Sequence, residues 1–369
     1  MIKLYTASYD ATIYLQQPTQ NAGSDSILEV GKVFFDGIKD IARTLIKFDV
    51  TSLSSSIASN EISGNWAGYL KLVSADSTGL PLNYTIYANP ISESWDMGQG
   101  TRFDDIVPNL TASFNFQQGV SWRYRNGVNK WQENAIGGTA VYPVGVTGSA
   151  NAEGGVWYTG SQAEQNFSYQ PDDIRMDITN MLKSWISGSI TNNGMIIRHS
   201  LEVEANEFDY GILRFFSKET HTIYEPKLEV VWNSVSFNTG SLLPVTGSAE
   251  EGYKISVTNL KTKYPQNSKI RIRVKGRDIY PQKSFSTTFE YDQSKYLPTS
   301  SYYQLEDYVS NQIIYPFSDW TKMSCDSTSN YFDIDLTTLP ISRTYLIKLK
   351  IEENGVSTIV DRKYLFEIV

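Results

Sequence analysis

The chain has 369 residues, enough for two or three domains with a sizeable buried core. Aromatic residues make up 13% of it (24 Tyr, 16 Phe and 8 Trp), charged residues only 20%, and the net charge is −8. One cysteine, Cys325, excludes an intramolecular disulfide framework, two histidines leave little for His-based catalysis or a multi-His metal site, and no apolar run is long enough for a membrane span.

The charge is uneven. From Glu250 onward 16 basic residues stand against 15 acidic ones, and the preceding residues hold 16 basic and 25 acidic, about −9. An acidic larger part argues against nucleic acid as the main partner.

The opening residues 1–7 lead into a strand-like 11–15 with no basic n-region, apolar h-region or small-residue cleavage site. Beside a composition rich in Tyr, Ser, Thr, Asn and Gly, typical of exposed β-proteins, this leads to the expectation of a virion protein assembled in a host cytoplasm and exposed on lysis.

Strand patterns follow at 27–31, at 44–50 (read as half-buried), at 66–73, and at 82–88, where Leu82, Tyr84, Ile86 and Ala88 share one face. Periodicity fades between Ile91 and Tyr169, a Gly- and Trp-rich stretch that reads as long loops. It holds Trp95, Trp122, Trp131 and Trp157, which form either an exposed platform for a host glycan or partner, or a cover closing the core. One helix is predicted: Ile178, Met181, Leu182 and Trp185 recur at helical spacing, Asp177 or Thr179 can cap the start, and Gly188 can end it.

Small and polar residues at 236–252 suggest a linker between a first domain at 1–235 and a second at 253–369. Beyond it, β-runs at 253–259, 269–275, 286–291, 302–307, 312–317, 331–336, 345–352 and 357–368 have immunoglobulin-like spacing, with Asn354-Gly355 as a hairpin signal. Lys269, Arg271, Arg273 and Lys275 alternate with Ile270, Ile272 and Val274, so four cations share one strand face. That face could grip DNA or the acidic part of a neighbouring copy, or simply be a solvated face that discourages edge aggregation.

The predicted fold is therefore all-β: a jelly-roll-like β-sandwich with one short helix, then a smaller immunoglobulin-like β-sandwich. Paired carboxylates at Asp104-Asp105, Asp172-Asp173 and Glu352-Glu353 could serve as calcium ligands or a glycosidase acid and base, but they match no Asp-x-Asp-x-Asp-Gly loop and read as solvated turns. No catalytic residue, cofactor or metal is expected, Cys325 reads as an inert thiol, and the candidate interface residues are the four tryptophans and the four cations above.

Residues 1–235 resemble the DNRLRE-type β-sandwich domain of bacterial surface proteins, archaeal secreted proteins and phage structural proteins. The resemblance rests on Asp10-Ala11-Thr12-Ile13-Tyr14, Leu28-Glu29-Val30-Gly31, the Arg43 to Val50 strand and Ile91-Ser92-Glu93-Ser94-Trp95-Asp96. It continues through Asp177-Ile178-Thr179, Trp185, Gly188, Asn193-Gly194 and the close Phe216-Ser217-Lys218-Glu219 with Pro226-Lys227-Leu228-Glu229-Val230. Residues around 122–155 depart from the pattern as an insertion. The C-terminal part, with Ile314-Tyr315-Pro316-Phe317, Thr321 to Asp326, Asn330-Tyr331-Phe332 and Arg343-Thr344-Tyr345, is similar to repeats in structural proteins of tailed phages, especially cyanophage-like ones. The resemblance implies a non-enzymatic protein of the neck, tail or baseplate whose partners are other virion proteins and copies of itself. A host-adhesion module or a capsid decoration protein stands as the alternative.

Overall fold

The computed structural model describes residues 1–102, 118–132, 135–136, 139–149, 153–168, 173–245, 253–279, 294–353 and 355–369. The fold is all-β, with 48% of the described residues in strands and 8% in helices. Two compact units are present, one of Tyr5–Glu61 and Ala67–Glu229, the other of Met1–Leu4, Ile62–Trp66 and Val230–Val369. The Asp104-Asp105 pair, Asp172, the strand predicted at 286–291 and Asn354 lie outside the described residues.

An 11-stranded sheet, most of whose residues belong to the N-terminal unit, runs in the order Ala163–Ser168, Asn83–Pro90, Met195–Arg198, Ile38–Phe48, Ile2–Tyr14, Lys227–Trp232, Trp66–Leu72 and Ile174–Asp177. Gly211–Phe216 pairs with both Ile27–Phe35 and Ser74–Thr78, and Ile27–Phe35 also pairs with Ile38–Phe48. The alternation expected at 82–88 holds for Tyr84, Ile86 and Ala88, all buried, while Leu82 is exposed.

Ile38–Phe48 corrects the half-buried reading of this stretch. Its residues from Ile41 to Ile46 are all buried, Arg43 and Thr44 included. The reason is position: the strand lies between Ile2–Tyr14, with Ala11 opposite Leu45, and Met195–Arg198, with Met195 opposite Ile46, and a further layer covers it. Ile91, Trp95, Val120, Trp122, Trp131, Val156 and Trp157 pack into one cluster with Ala11, Ile13, Ile41, Leu45 and Ile196 of the sheet. The described residues between Ile91 and Tyr158 thus supply a cover that includes the short strands Val146–Gly148 and Val156–Tyr158, paired to each other. Asn21 pins this cover. Fully buried, its amide donates to Met97 O (2.7 Å) and Val120 O (2.8 Å), and its oxygen accepts from Gly100 N (2.8 Å).

Among the described residues three α-helices are present where one was predicted. The predicted one, α2 (Thr179–Ile186), buries Met181, Leu182 and Trp185. Asp177 Oδ1 accepts from Thr179 N at 2.9 Å, and Gly188 ends the segment at φ +74°. The others were missed for physical reasons. Helix α1 (Thr51–Ala58) is serine-rich and buries only Leu53 and Ser56, and α3 (Leu201–Ala205) has five residues, too few for a periodic signal. Ser200 caps α3 by accepting from Val203 N at 3.1 Å.

The C-terminal unit has two main sheets. One orders Tyr253–Val257, Lys269–Asp278, Asn330–Asp335 and Ser324–Cys325; the other orders Lys263–Tyr264, Val356–Ile368, Arg343–Glu353, Ser301–Asp307 and Ile313–Tyr315. Their inner faces meet where Tyr303 stacks on Phe332, ring centroids 4.2 Å apart and planes 10° from parallel. Around that pair Ile255, Ile272, Val274, Ile334, Leu305, Ile347, Leu349 and Ile351 form the core of a sandwich.

Candidate functional site

The tryptophans do not form a surface platform. Trp95 is 7% exposed, Trp122 2%, Trp131 1% and Trp157 0%, so no ring face is open to a sugar or partner. Their polar ends are satisfied inside: Trp95 Nε1 donates to Asn193 O at 2.7 Å and Trp131 Nε1 to Ser121 O at 3.0 Å. Covering a sheet face made of Ala11, Ile13, Ile41 and Leu45 takes large apolar area, and indole rings supply it. These four residues build the core, which corrects their reading as an interface.

Beneath them lies a buried charged centre that sequence reasoning passed over. Arg43, on the doubly covered strand, holds Glu204 of α3 through both carboxylate oxygens, with Nε to Oε1 at 3.0 Å. It also donates to Gly154 O and to Ser149 Oγ. Its guanidinium lies over Trp122 (4.6 Å to the ring centroid) and Trp157 (5.2 Å), and Arg198 approaches Trp157 at 4.2 Å. Trp157 therefore contacts two arginines. Gly154 sits at φ +80° so close that a Cβ would stand 2.7 Å from both Arg43 Nη1 and the Trp122 ring. Arg198 donates to Asn89 Oδ1 (3.0 Å) and His199 O (2.8 Å). Burial, then the charge of Arg43, brings its pKa down to about 10, which leaves it charged at neutral pH. His199, 2% exposed with Nδ1 unpartnered, is pushed down to about 4 by burial and then by Lys32, so it is neutral. Two cations and one carboxylate, screened by indole faces, tie the cover and α3 to the sheet. The only sequence signal was an arginine inside the apolar run 41–48.

The same device recurs. Glu29 takes Arg214 Nε on Oε1 (2.8 Å) and Arg102 on Oε2, with Arg102 4.2 Å from the Tyr14 ring. Fully buried Glu229 takes Arg175 Nε at 3.0 Å, with Arg175 stacked 3.8 Å over Tyr69. These pairs join strands distant in sequence.

The cationic strip keeps its predicted alternation, with Ile270, Ile272 and Val274 buried between half-buried or exposed cations. Its charges are largely matched. Arg271 grips Asp333 at 2.8 and 2.9 Å and lies 4.1 Å over Tyr331. Arg273 grips Asp326 at 3.1 and 3.0 Å, and Lys269 stands 4.0 Å from Asp335. The pairs with Asp333 and Asp335 follow from register, since Arg271 opposes Asp333 and Lys269 opposes Asp335. Arg273 and two backbone N–H groups hold the Asp326 carboxyl down at about 2. Lys275 has no ion pair among the described residues.

Of the remaining candidates, Asp173 accepts from Ser74 N (2.8 Å), Glu352 pairs with Lys350 (2.6 Å) and Glu353 accepts from the Tyr253 hydroxyl (3.4 Å). Cys325 is buried, and burial pushes its thiol up to about 11. Among the described residues no group of three or more His, Cys, Asp or Glu side chains could hold a metal ion, and no helix is long and apolar enough to cross a membrane. Compared with known proteins, the chain matches no family model and no curated protein.

Proposed function

We propose that this chain is a non-enzymatic structural subunit of a tailed-phage virion, docking to neck, tail or baseplate subunits through its sheet faces and loops. The observation that carries the reading is the inward use of its chemistry. The tryptophans, Arg43, Glu204, Arg198 and Glu229 all hold one layer or strand to another. Such internal stitching suits a protein whose work is to keep its shape under load. The resemblance of the motif order to the DNRLRE-type domain and to tailed-phage repeats gives the reading its setting, and assembly through large buried interfaces is then its activity. Glycan binding through the tryptophans finds no support, because their rings are covered.

Particles purified by density gradient from a lysate of producing cells test this. Peptides of the chain should co-migrate with intact particles at a fixed ratio to the other particle proteins. Recovery only in the soluble fraction contradicts the reading.

A further inference from the structure

One edge of the five-stranded sheet in the C-terminal unit differs from the other sheet edges there. Val356–Ile368 is 13 residues long, yet its outer neighbour Lys263–Tyr264 pairs only with Glu367 and Ile368. On its inner side it follows Arg343–Glu353 from Val356 to Val360, and then the register shifts at Asp361-Arg362-Lys363, where Lys363 takes φ +55°. Among the described residues, Val356-Ser357-Thr358-Ile359-Val360 is thus paired on one side only.

An unpaired strand edge offers a row of backbone donors and acceptors to any other extended chain, and proteins guard such edges by shortness, charge or proline. The guards are present elsewhere in this unit. Ile313–Tyr315 has three residues, Ser324–Cys325 has two, and Tyr253–Val257 carries an exposed lysine at Lys254. The segment at 356–360 has five residues with no charge, proline or glycine, and four of them are β-branched. Its apolar surface is also open. Val356, Thr358 and Val360 stand opposite Glu353, Ile351 and Leu349, on the core-facing side, yet Val356 is 54% exposed and Ile359, facing outward, 58%.

We propose that residues 356–360 dock antiparallel against the same residues of a second copy, about Thr358, joining two five-stranded sheets into one continuous sheet. Self-complementarity selects the occupant. Val356 then opposes Val360, Ser357 opposes Ile359, and no charge meets its like. The flanks agree. At one end of the segment lie Glu352 and Glu353; at the other, exposed Arg362 and Lys363 carry no ion pair among the described residues. Asp361, at that second end, is engaged by the Lys363 N–H (3.2 Å) and approached by Lys348 (3.9 Å). An antiparallel pairing sets each copy's glutamates beside the other's Arg362 and Lys363; a parallel one sets like beside like. The contact spans about 17 Å of strand. It deepens the reading of the chain as an assembling subunit by naming where copies join.

The test is the mass of the full-length chain by sedimentation over a concentration series, with two variants. Wild type should dimerise, and S357K/I359K, which opposes lysine to lysine across the new pair, should weaken association about tenfold or more while leaving circular dichroism and the unfolding midpoint unchanged. T358C should give a disulfide-linked dimer on oxidation, since Cys325 is buried. A wild-type chain that stays monomeric overturns the proposal. So does a dimer that ignores the lysines and fails to cross-link through T358C. Should the lysine variant misfold, T358C alone decides. A monomer that is nonetheless found in particles defeats this edge and leaves the assembly reading standing; a dimer absent from particles does the reverse.

Discussion

Asp10 Oδ2 accepts a 2.6 Å hydrogen bond from the backbone N–H of Lys218, 208 residues further along the chain. Two sequence signatures, the opening strand and the Ser-Lys-Glu turn, thus meet at one carboxylate. Ser217 Oγ fastens the same turn by donating to Asp25 O and accepting from Glu219 N (3.0 Å). Asp10 is 1% exposed and its other oxygen, Oδ1, has no partner.

Burial raises the Asp10 carboxyl from 3.8 to about 7; the Lys218 N–H and ammonium oppose the shift, and Glu219 and Glu225 add to it. Because the folded pKa lies above the unfolded one, the folded state binds more protons between about 4 and 7. Stability therefore falls as pH rises through that window, by at most roughly 4 kcal/mol. Asp10→Asn keeps an acceptor for Lys218 and removes the titration. Its unfolding midpoint should exceed that of wild type at pH 8 and lose this part of the pH dependence. A midpoint below wild type at pH 8 would contradict the argument.

His199 has the opposite sign. Its folded pKa of about 4 lies below the ordinary 6.5, so its contribution is complete above 6.5 and is lost as pH falls toward 4. An Asp10→Asn background removes the opposing Asp10 dependence from this window. His199→Phe, which keeps an aromatic ring beside Tyr84 and Tyr210, should flatten it. Unfolding midpoints across pH 4–7 read both effects.

Glu204→Ala should destabilise by about 3–5 kcal/mol, because it leaves Arg43 buried without its carboxylate and close to a second arginine. Arg43→Met with Glu204→Leu should cost far less than the two single changes together. A double-mutant cycle by denaturant unfolding measures the coupling.

Arg271→Ala should cost less than about 1 kcal/mol, since its partner Asp333 and its own side chain are both solvent-accessible. Trp157→Ala, at a fully buried ring, should cost about 3–5 kcal/mol. The same unfolding assay ranks the two, and an inverted order would contradict the assignment of core and surface.

Local signals were readable in the sequence where a pattern repeats within one element. The helix at Thr179–Ile186 announced itself through four apolar residues on one face, and Lys269–Asp278 through strict alternation. What the sequence hid was set by distant pairing. The burial of Arg43 was not legible because the residues over it, Trp122, Gly154 and Trp157, come from a distant stretch where short strands and positive-φ glycines such as Gly154 erase periodicity. The cation strip looked free because Asp326, Asp333 and Asp335, which face it, lie more than 50 residues away in the chain. The tryptophans were legible as a group, and only the fold decides that they point inward.

Antibody-labelled electron microscopy of particles from a lysate of producing cells decides whether the chain belongs to the virion. Label is expected at one fixed place on intact virions, at the neck, tail or baseplate. Label on the head would move the chain to capsid decoration, and label absent from particles would contradict a virion role altogether.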